Sequence, residues 1–285
     1  MTKPIRTLFI GGLSNGRIVF DYLTKNRHVD LGLCVTYPDD ADRPRHSPFP
    51  DAPHILKTGS AKSVMDRIEA YDPELVMVAG WSELVPDRLL KIPRMGVVGF
   101  HPSKLPMDRG RSVLAWQIAD GYTETALSMF YYATVPDSGD IIGQERIPIS
   151  ENDYIGDVLD KIDAATRSLM RAYFPLFRQG LAPRRPQSLN DVNFRRLRTS
   201  DDSEIDWSRD SRDIYNLVRA ISDPYPCATT TLDGQRFLVK RAEILDGFPF
   251  GAGELPGTQV AKLYDDTRVV RTRDGFIRLT DTARV

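Results

Sequence analysis

Val97-Val98-Gly99-Phe100-His101-Pro102-Ser103-Lys104-Leu105-Pro106 opens as an apolar run and ends in a histidine and a proline-punctuated loop. A short run that is apolar throughout, rather than alternating, reads as a strand covered on both faces. Working back, Leu75-Val76-Met77-Val78-Ala79, Leu31-Gly32-Leu33-Cys34-Val35-Thr36 and Thr7-Leu8-Phe9-Ile10 have the same character. Between them, Ile18, Val19, Phe20, Tyr22 and Leu23 cluster at helical spacing, as do the apolar residues of 64–70, and Asp87 to Ile92 suits a short helix. Strands alternating with helices predict an α/β fold with a Rossmann-like, mostly parallel sheet. Open sheets of this kind bind ligands at the carboxyl ends of their strands, and His101 falls at such an end.

Working forward, Ser112 to Ile118 reads as a helix, Thr125 to Tyr132 as a strand, Asp140 to Ile149 as its partner, and Tyr154 to Phe177 as one long helix. Composition changes at Gln179-Gly180-Leu181-Ala182-Pro183-Arg184-Arg185-Pro186, a polar, proline-bearing stretch of linker character. The division expected is therefore a catalytic domain over 1–182, a linker over 183–200 and a small domain over 201–285. In the last, Ser211 to Ile221 is an amphipathic helix. Short β-rich runs with Asp233-Gly234 and Asp274-Gly275 turns then predict a small OB-like barrel. The Pro/Asp/Arg/His-rich tract that follows Thr36 and runs to Pro53 is a long polar loop.

The 285 residues carry 38 basic and 39 acidic side chains, a formal charge of −1, which supplies no global pull on nucleic acid. Cys34 and Cys227 are far apart and form neither a CxxC pair nor a disulfide framework, so no metal centre is expected and a reducing cytoplasm is the default. The apolar segment after Met1 is too short for a signal-peptide core, and no run is long enough to cross a bilayer.

Imidazole exchanges protons near neutrality, so His101 suits proton transfer or oxyanion stabilisation. Asp137, in Pro136-Asp137-Ser138-Gly139-Asp140, reads by itself as a structural turn, and as a carboxylate that orients His101 if that turn folds beside it. Arg109 and Arg111 flank Gly110 and suit a phosphate or carboxylate, or simply face solvent. Gly11-Gly12 before a helix is either a phosphate cradle or a plain connecting turn.

His101-Pro102-Ser103-x-Leu105-Pro106, Arg109-Gly110-Arg111, Trp116, Gly121-x-Thr123-Glu124-Thr125 and Asp137-Ser138-Gly139-Asp140-Ile141, in that order, closely resemble the folate-dependent formyltransferases. That family contains methionyl-tRNA formyltransferase and the amino-sugar N-formyltransferases. Leu197-Arg198-Thr199-x-Asp201-Asp202-x-x-Ile205-Asp206-Trp207 and Ile214 to Pro226 resemble the second domain of the tRNA enzymes and of the UDP-4-amino-arabinose formyltransferase. The resemblance implies formyl transfer from N10-formyltetrahydrofolate to a primary amine, with His101 and Asp137 catalytic. It implies a folate pocket at Gly80, Trp81, Leu84, Val85, Val135, Asp137 and Asp140. Trp81 reads equally as a core aromatic.

The family carries an Asn-x-His pair in which the asparagine helps to hold the oxyanion, and here that position is Gly99. An unreplaced oxyanion donor costs about 3 kcal/mol. A water, a backbone amide or a side chain such as Ser103 is the expected substitute. For the acceptor, the charge balance, a shortened second domain and the lack of a lysine-rich insertion argue against tRNA. A nucleotide-linked amino sugar of surface polysaccharide synthesis fits better, its diphosphate near Arg109, Arg111 and the Ser14-Asn15 turn and its amine at His101, with Ser103 and Gly110 also in the substrate site. Methionyl-tRNA, an amino-acid amine as in formylated siderophores, and a catalytically silent folate- or nucleotide-binding protein are the alternatives. Pairing of two copies as a homodimer is left open.

Overall fold

The computed structural model describes residues 3–285. By internal contacts the chain divides into two units: one of 1–110, 126–147 and 160–194, the other of 111–125, 148–159 and 195–285.

The first unit is built on a seven-stranded sheet. Its strands are β1 (Ile5–Gly11), β2 (Val29–Thr36), β3 (Ile55–Lys57), β4 (Leu75–Ala79), β5 (Val97–His101), β7 (Glu124–Tyr131) and β8 (Ile141–Pro148), in the order β3-β2-β1-β4-β5-β7-β8. A two-residue strand, β6 (Arg109–Gly110), precedes β7 in the chain. The pairings β3/β2, β2/β1, β1/β4 and β4/β5 are parallel, and β5/β7 is antiparallel. All five residues of β4 are buried, as the uninterrupted apolar run requires.

The chain leaves β1 toward β2 and β3, then crosses back to β4 on the other side, which makes the β1/β4 boundary the switch point where such sheets open a ligand crevice. Helix α1 (Ser14–Thr24) starts there. A Cβ at Gly11 would lie 2.2 Å from the Ala79 carbonyl oxygen and one at Gly16 2.5 Å from the same atom. These glycines let the start of α1 settle onto β4, so the turn is used for close packing. Helices α2 (Met65–Tyr71) and α3 (Asp87–Leu90) cover the sheet through Met65, Ile68 and Leu89, which pack with Leu8, Ile10, Val35, Val76 and Val78.

The polar tract after Thr36 is tied to this edge. Leu13 bridges His46, and the Ser47 N–H donates to the Gly12 carbonyl at 3.1 Å. Residues 183–194, of linker composition, belong to the first unit: the Ile141 N–H donates to the Arg185 carbonyl at 2.8 Å and the Arg185 N–H returns the bond at 3.1 Å.

In the second unit, α4 (Val113–Ala119) packs on α6 (Ser211–Ile221). The intervening helix, α5, runs Ile155–Gln179, and a two-residue strand, β9 (Phe194–Arg195), precedes α6. Trp116 anchors the stretch before α6: its indole N–H donates to the Arg196 carbonyl at 2.9 Å, with the Arg196 and Arg198 guanidiniums over its ring at 4.9 and 4.3 Å. The expected β-rich region is a five-stranded antiparallel sheet of β10 (Ala228–Leu232), β11 (Gln235–Leu245), β12 (Gln259–Lys262), β13 (Arg268–Arg271) and β14 (Phe276–Arg284), in the order β10-β11-β14-β13-β12. Register shifts around Arg241 mark the bulges that curl it. Among the described residues no helix is long and apolar enough to cross a membrane.

Candidate active site

Residues two apart on a strand share a face, so Val97, Gly99 and His101 of β5 point the same way. The antiparallel register pairs Gly99 with Phe130 and His101 with Ser128, which places Ser128 and Phe130 beside them. Ser128 fixes the loop after β5. Its hydroxyl donates to the Ser103 carbonyl at 2.6 Å and accepts from the Leu105 N–H at 3.2 Å and from Gln144 Nε2 at 2.8 Å. Ser103 Oγ donates to the Met107 carbonyl at 2.7 Å.

His101 is 5% exposed. Its Nε2 lies 2.7 Å from the Asp108 carbonyl oxygen, and its Nδ1 lies 3.6 Å from Asp137 Oδ1. A carbonyl only accepts, so Nε2 carries the hydrogen in the neutral ring, which leaves Nδ1 as the nitrogen that faces the Asp137 carboxylate.

Both partners of the ring are held in left-handed backbone, Asp108 at φ 51° and Asp137 at φ 57°, a region disfavoured for any side chain but best tolerated by Asp and Asn. Each is locked by a side chain from the 183–194 stretch. Asn193 grips Asp108 at both ends: Oδ1 accepts the Asp108 N–H at 2.6 Å and Nδ2 donates to its carboxylate at 2.7 Å. Gln187 Nε2 donates to the carbonyls of Asp137 at 2.8 Å and Gly139 at 2.7 Å, and its Oε1 accepts from Arg109 Nη2 at 2.7 Å. Asp137 Oδ2 also accepts the Gly110 N–H at 2.9 Å. Gly139 is required where the turn meets β7, because a Cβ there would sit 1.9 Å from the Tyr131 carbonyl oxygen.

The residues proposed from sequence therefore separate. His101, Ser103, Arg109, Gly110 and Asp137 come together, but Arg109 is buried and its guanidinium is engaged with Gln187. Burial lowers its pKa, and the charge of Asp137 opposes that shift. Arg111 belongs to the second unit, is exposed, and donates its N–H to the Arg195 carbonyl at 3.0 Å.

Ser14, Asn15, Gly80 and Trp81 form another group at the β1/β4 switch point. A Cβ at Gly80, whose φ is 60°, would lie 2.6 Å from Asn15 Oδ1. Ser14 Oγ donates to Asp163 at 3.1 Å, and Arg45 reaches Asp160 and Asp163. The Trp81 ring stacks on Tyr37 at 4.5 Å, the Tyr37 hydroxyl accepts the Ser82 N–H at 2.7 Å, and Trp81 Nε1 is a buried donor with no acceptor among the described residues. Val85 packs against the core, while Leu84 and Val135 are exposed. The Asp140 carbonyl accepts the Tyr131 N–H at 2.9 Å, which ties Asp140 into the turn between β7 and β8.

Asp108, Asn193 and Gln187 were not singled out from sequence. Asp108 acts through its carbonyl, which every residue has, and the other two sit in a stretch of linker composition. Among the described residues no cluster of His, Cys, Asp and Glu could hold a metal ion.

Comparison with known proteins agrees with the motifs. Residues 5–173 match the formyl transferase family and residues 198–284 the formyl transferase C-terminal domain. The chain belongs to the formyl transferase family, and the resemblance to its folate-dependent members is thereby shown. A methionyl-tRNA formyltransferase of Listeria monocytogenes is 32% identical over 194 residues, 68% of this chain and 61% of that relative, so the match spans about three-fifths of the relative's length. HypX from Aquifex aeolicus in complex with tetrahydrofolic acid superposes with TM-score 0.72 at 18% identity, over 98% of this chain and 44% of that one. The sugar 3N-formyl transferase WlaRD, solved in the presence of dTDP and 5-N-formyl-THF, gives TM-score 0.69 at 14% identity over 100% and 99%. At these identities the superpositions establish a shared fold.

Proposed function

We propose that this chain transfers the formyl group of N10-formyltetrahydrofolate to the primary amine of a nucleotide-linked amino sugar. The observation that carries formyl transfer is the His101 ring held between the Asp108 carbonyl and the Asp137 carboxylate. A neutral amine that attacks a formyl carbon becomes cationic and must shed a proton while the carbonyl oxygen becomes anionic. Nδ1 can take that proton, the Asp137 carboxylate stabilises the resulting imidazolium, and the ring returns the proton to the departing nitrogen.

The donor supplies the electrophilic formyl carbon. The loop expected to hold it, with Gly80, Trp81, Leu84 and Val85, presents one feature that suits a polar heterocycle: the buried Trp81 N–H without an acceptor. Val135, Asp137 and Asp140 would close the other side. Of the two arginines read as anion contacts, Arg111 keeps an exposed side chain, whereas Arg109 supports the Asp137 turn.

The near-neutral charge favours a small nucleotide-linked acceptor over tRNA, whose binding is dominated by phosphate contacts. Methionyl-tRNA is the second reading, favoured by the names of the sequence relatives. The cysteine pattern suits a reducing cytoplasm. Incubation with N10-formyltetrahydrofolate and a panel of nucleotide amino sugars, beside charged initiator tRNA, decides between them. Formylation of tRNA alone overturns the sugar assignment, and no transfer to any amine overturns the enzyme assignment in favour of a silent binder.

A further inference from the structure

Gly99 leaves the position two residues before His101, on the same face of β5, without a side chain. The space is nonetheless filled. A Cβ built on Gly99 would lie 2.1 Å from Cε1, 2.8 Å from Cζ and 2.8 Å from the hydroxyl oxygen of Tyr132. The phenol therefore occupies the volume that a residue-99 side chain would take, and its hydroxyl ends at a distance from that Cβ comparable to where an asparagine amide ends.

The position of the ring is determined. Tyr132 donates its N–H to the Val97 carbonyl at 2.7 Å, which continues the β5/β7 pairing by one residue and turns the side chain to the face of Gly99 and His101. The ring stacks on Phe130 at 5.3 Å and 27°, and Phe130 in turn meets the His101 imidazole edge-on at 6.5 Å and 82°. Three aromatic rings thus line one face, with the phenol at one end and the imidazole at the other.

The hydroxyl is suited to donating. Burial, with the charge of Asp137 and the neighbouring Tyr37 acting the same way, raises its pKa well above the ordinary phenol value, so it stays protonated at any working pH. The substitute considered from sequence, Ser103, is engaged: its hydroxyl already donates to the Met107 carbonyl.

We propose that the Tyr132 hydroxyl is the oxyanion donor of this chain, standing where the family's asparagine would reach, and that residue 99 is glycine because any side chain there collides with the phenol. The inference rests on the formyl-transfer reading above. Attack by the amine nitrogen forms a C–N bond and moves the carbonyl electron pair onto oxygen. Tyr132 donates a hydrogen bond to that oxygen and keeps its proton. Collapse re-forms the carbonyl and breaks the bond to N10, which receives, by way of His101, the proton the amine lost.

The test uses the full chain carrying Tyr132→Phe, which removes one oxygen and keeps the ring packing. Turnover with N10-formyltetrahydrofolate is expected to fall about 100-fold with both KM values within about threefold, the loss typical of one oxyanion donor. Independently of turnover, the infrared carbonyl stretch of 13C-formyl-labelled 10-formyl-5,8-dideazafolate, a stable donor analogue, should move to higher frequency in the variant as its hydrogen bond is lost. Gly99→Asn alone should lose activity, whereas Gly99→Asn/Tyr132→Ala should exceed Tyr132→Ala by at least about tenfold, because the amide regains its space. An unchanged carbonyl stretch, or turnover within threefold of the parent, overturns the proposal. If the parent binds the analogue but formylates no amine, the functional reading fails and the infrared shift still decides the role of Tyr132. If the parent does not bind the analogue, both fall.

Discussion

The carbonyl oxygen of Asp108 lies 2.7 Å from Nε2 of His101, so a main-chain atom, not a carboxylate, sets which ring nitrogen holds the proton. That carbonyl is aimed by left-handed backbone at Asp108, which Asn193 clamps from both sides. Asn193→Ala should therefore cost about 2 kcal/mol of stability in urea titrations, from two lost hydrogen bonds in a part-buried site. It should also lower kcat about tenfold or more. Asp108→Gly, which accepts positive φ freely, should retain more activity than Asp108→Val, and the reverse order would show that the side chain matters more than the carbonyl.

Removing the ring separates chemistry from binding. His101→Ala should abolish formyl transfer while leaving the Kd for tetrahydrofolate within about threefold of the parent, as read by fluorescence titration. An activity loss accompanied by an equal loss of folate affinity would make the histidine a binding group.

Gln187 joins the turn that carries Asp137 to the buried guanidinium of Arg109. Gln187→Ala leaves two carbonyls and a guanidinium short of a partner and should destabilise the protein by about 2 to 3 kcal/mol, measured by chemical denaturation. Gln187→Glu retains the acceptor for Arg109 but removes both amide donors, so kcat should fall with it even where stability recovers.

The indole N–H of Trp81 is buried and has no acceptor among the described residues, while the ring rests on Tyr37. Trp81→Phe keeps a six-membered aromatic ring beside Tyr37 and removes the donor together with the pyrrole half of the indole. Weaker tetrahydrofolate binding, by about five- to tenfold, with little change in thermal stability is the expected result by calorimetry. Unchanged affinity would remove this loop from the folate site.

Cys34 is fully buried in β2, and burial pushes its thiol up to about 12. Below the thiol's ordinary value both folded and unfolded chains hold the proton, and stability is unaffected. Above it the unfolded chain ionises first, so the folded chain holds more protons and stability falls as pH rises from about 9 toward 12, by about 1.4 kcal/mol per pH unit for each such group. Urea unfolding at pH 7, 9 and 10.5 should show this decline, and Cys34→Ala should make it shallower. The same burial predicts no reaction of Cys34 with a thiol reagent at pH 8 in the native state.

The parallel core was legible because a strand covered on both faces must be apolar throughout, as β4 is, and because the sheet's carboxyl edge gives a histidine after an apolar run a definite place. The His101–Asp137 pair was legible through its motif. What sequence did not disclose acts through features that leave no mark in composition. The Asp108 carbonyl is backbone. Asn193 and Gln187 are polar residues in a proline-bearing stretch, which a solvated linker would contain equally. The fit of Tyr132 over Gly99 depends on the diagonal between two antiparallel strands, which becomes visible only once their register is known. Conversely, Arg109 resembled an anion contact because a loop arginine gives no hint of being buried, and the fold encloses it.

The return of residues 183–194 onto the first unit also sets an order of assembly. On the ribosome, every strand of the parallel sheet, the histidine and the aspartate emerge before the two amides that lock Asp108 and Asp137. The two amides that lock these turns arrive on the same twelve residues, 183–194, that pair with the edge strand β8 through Arg185.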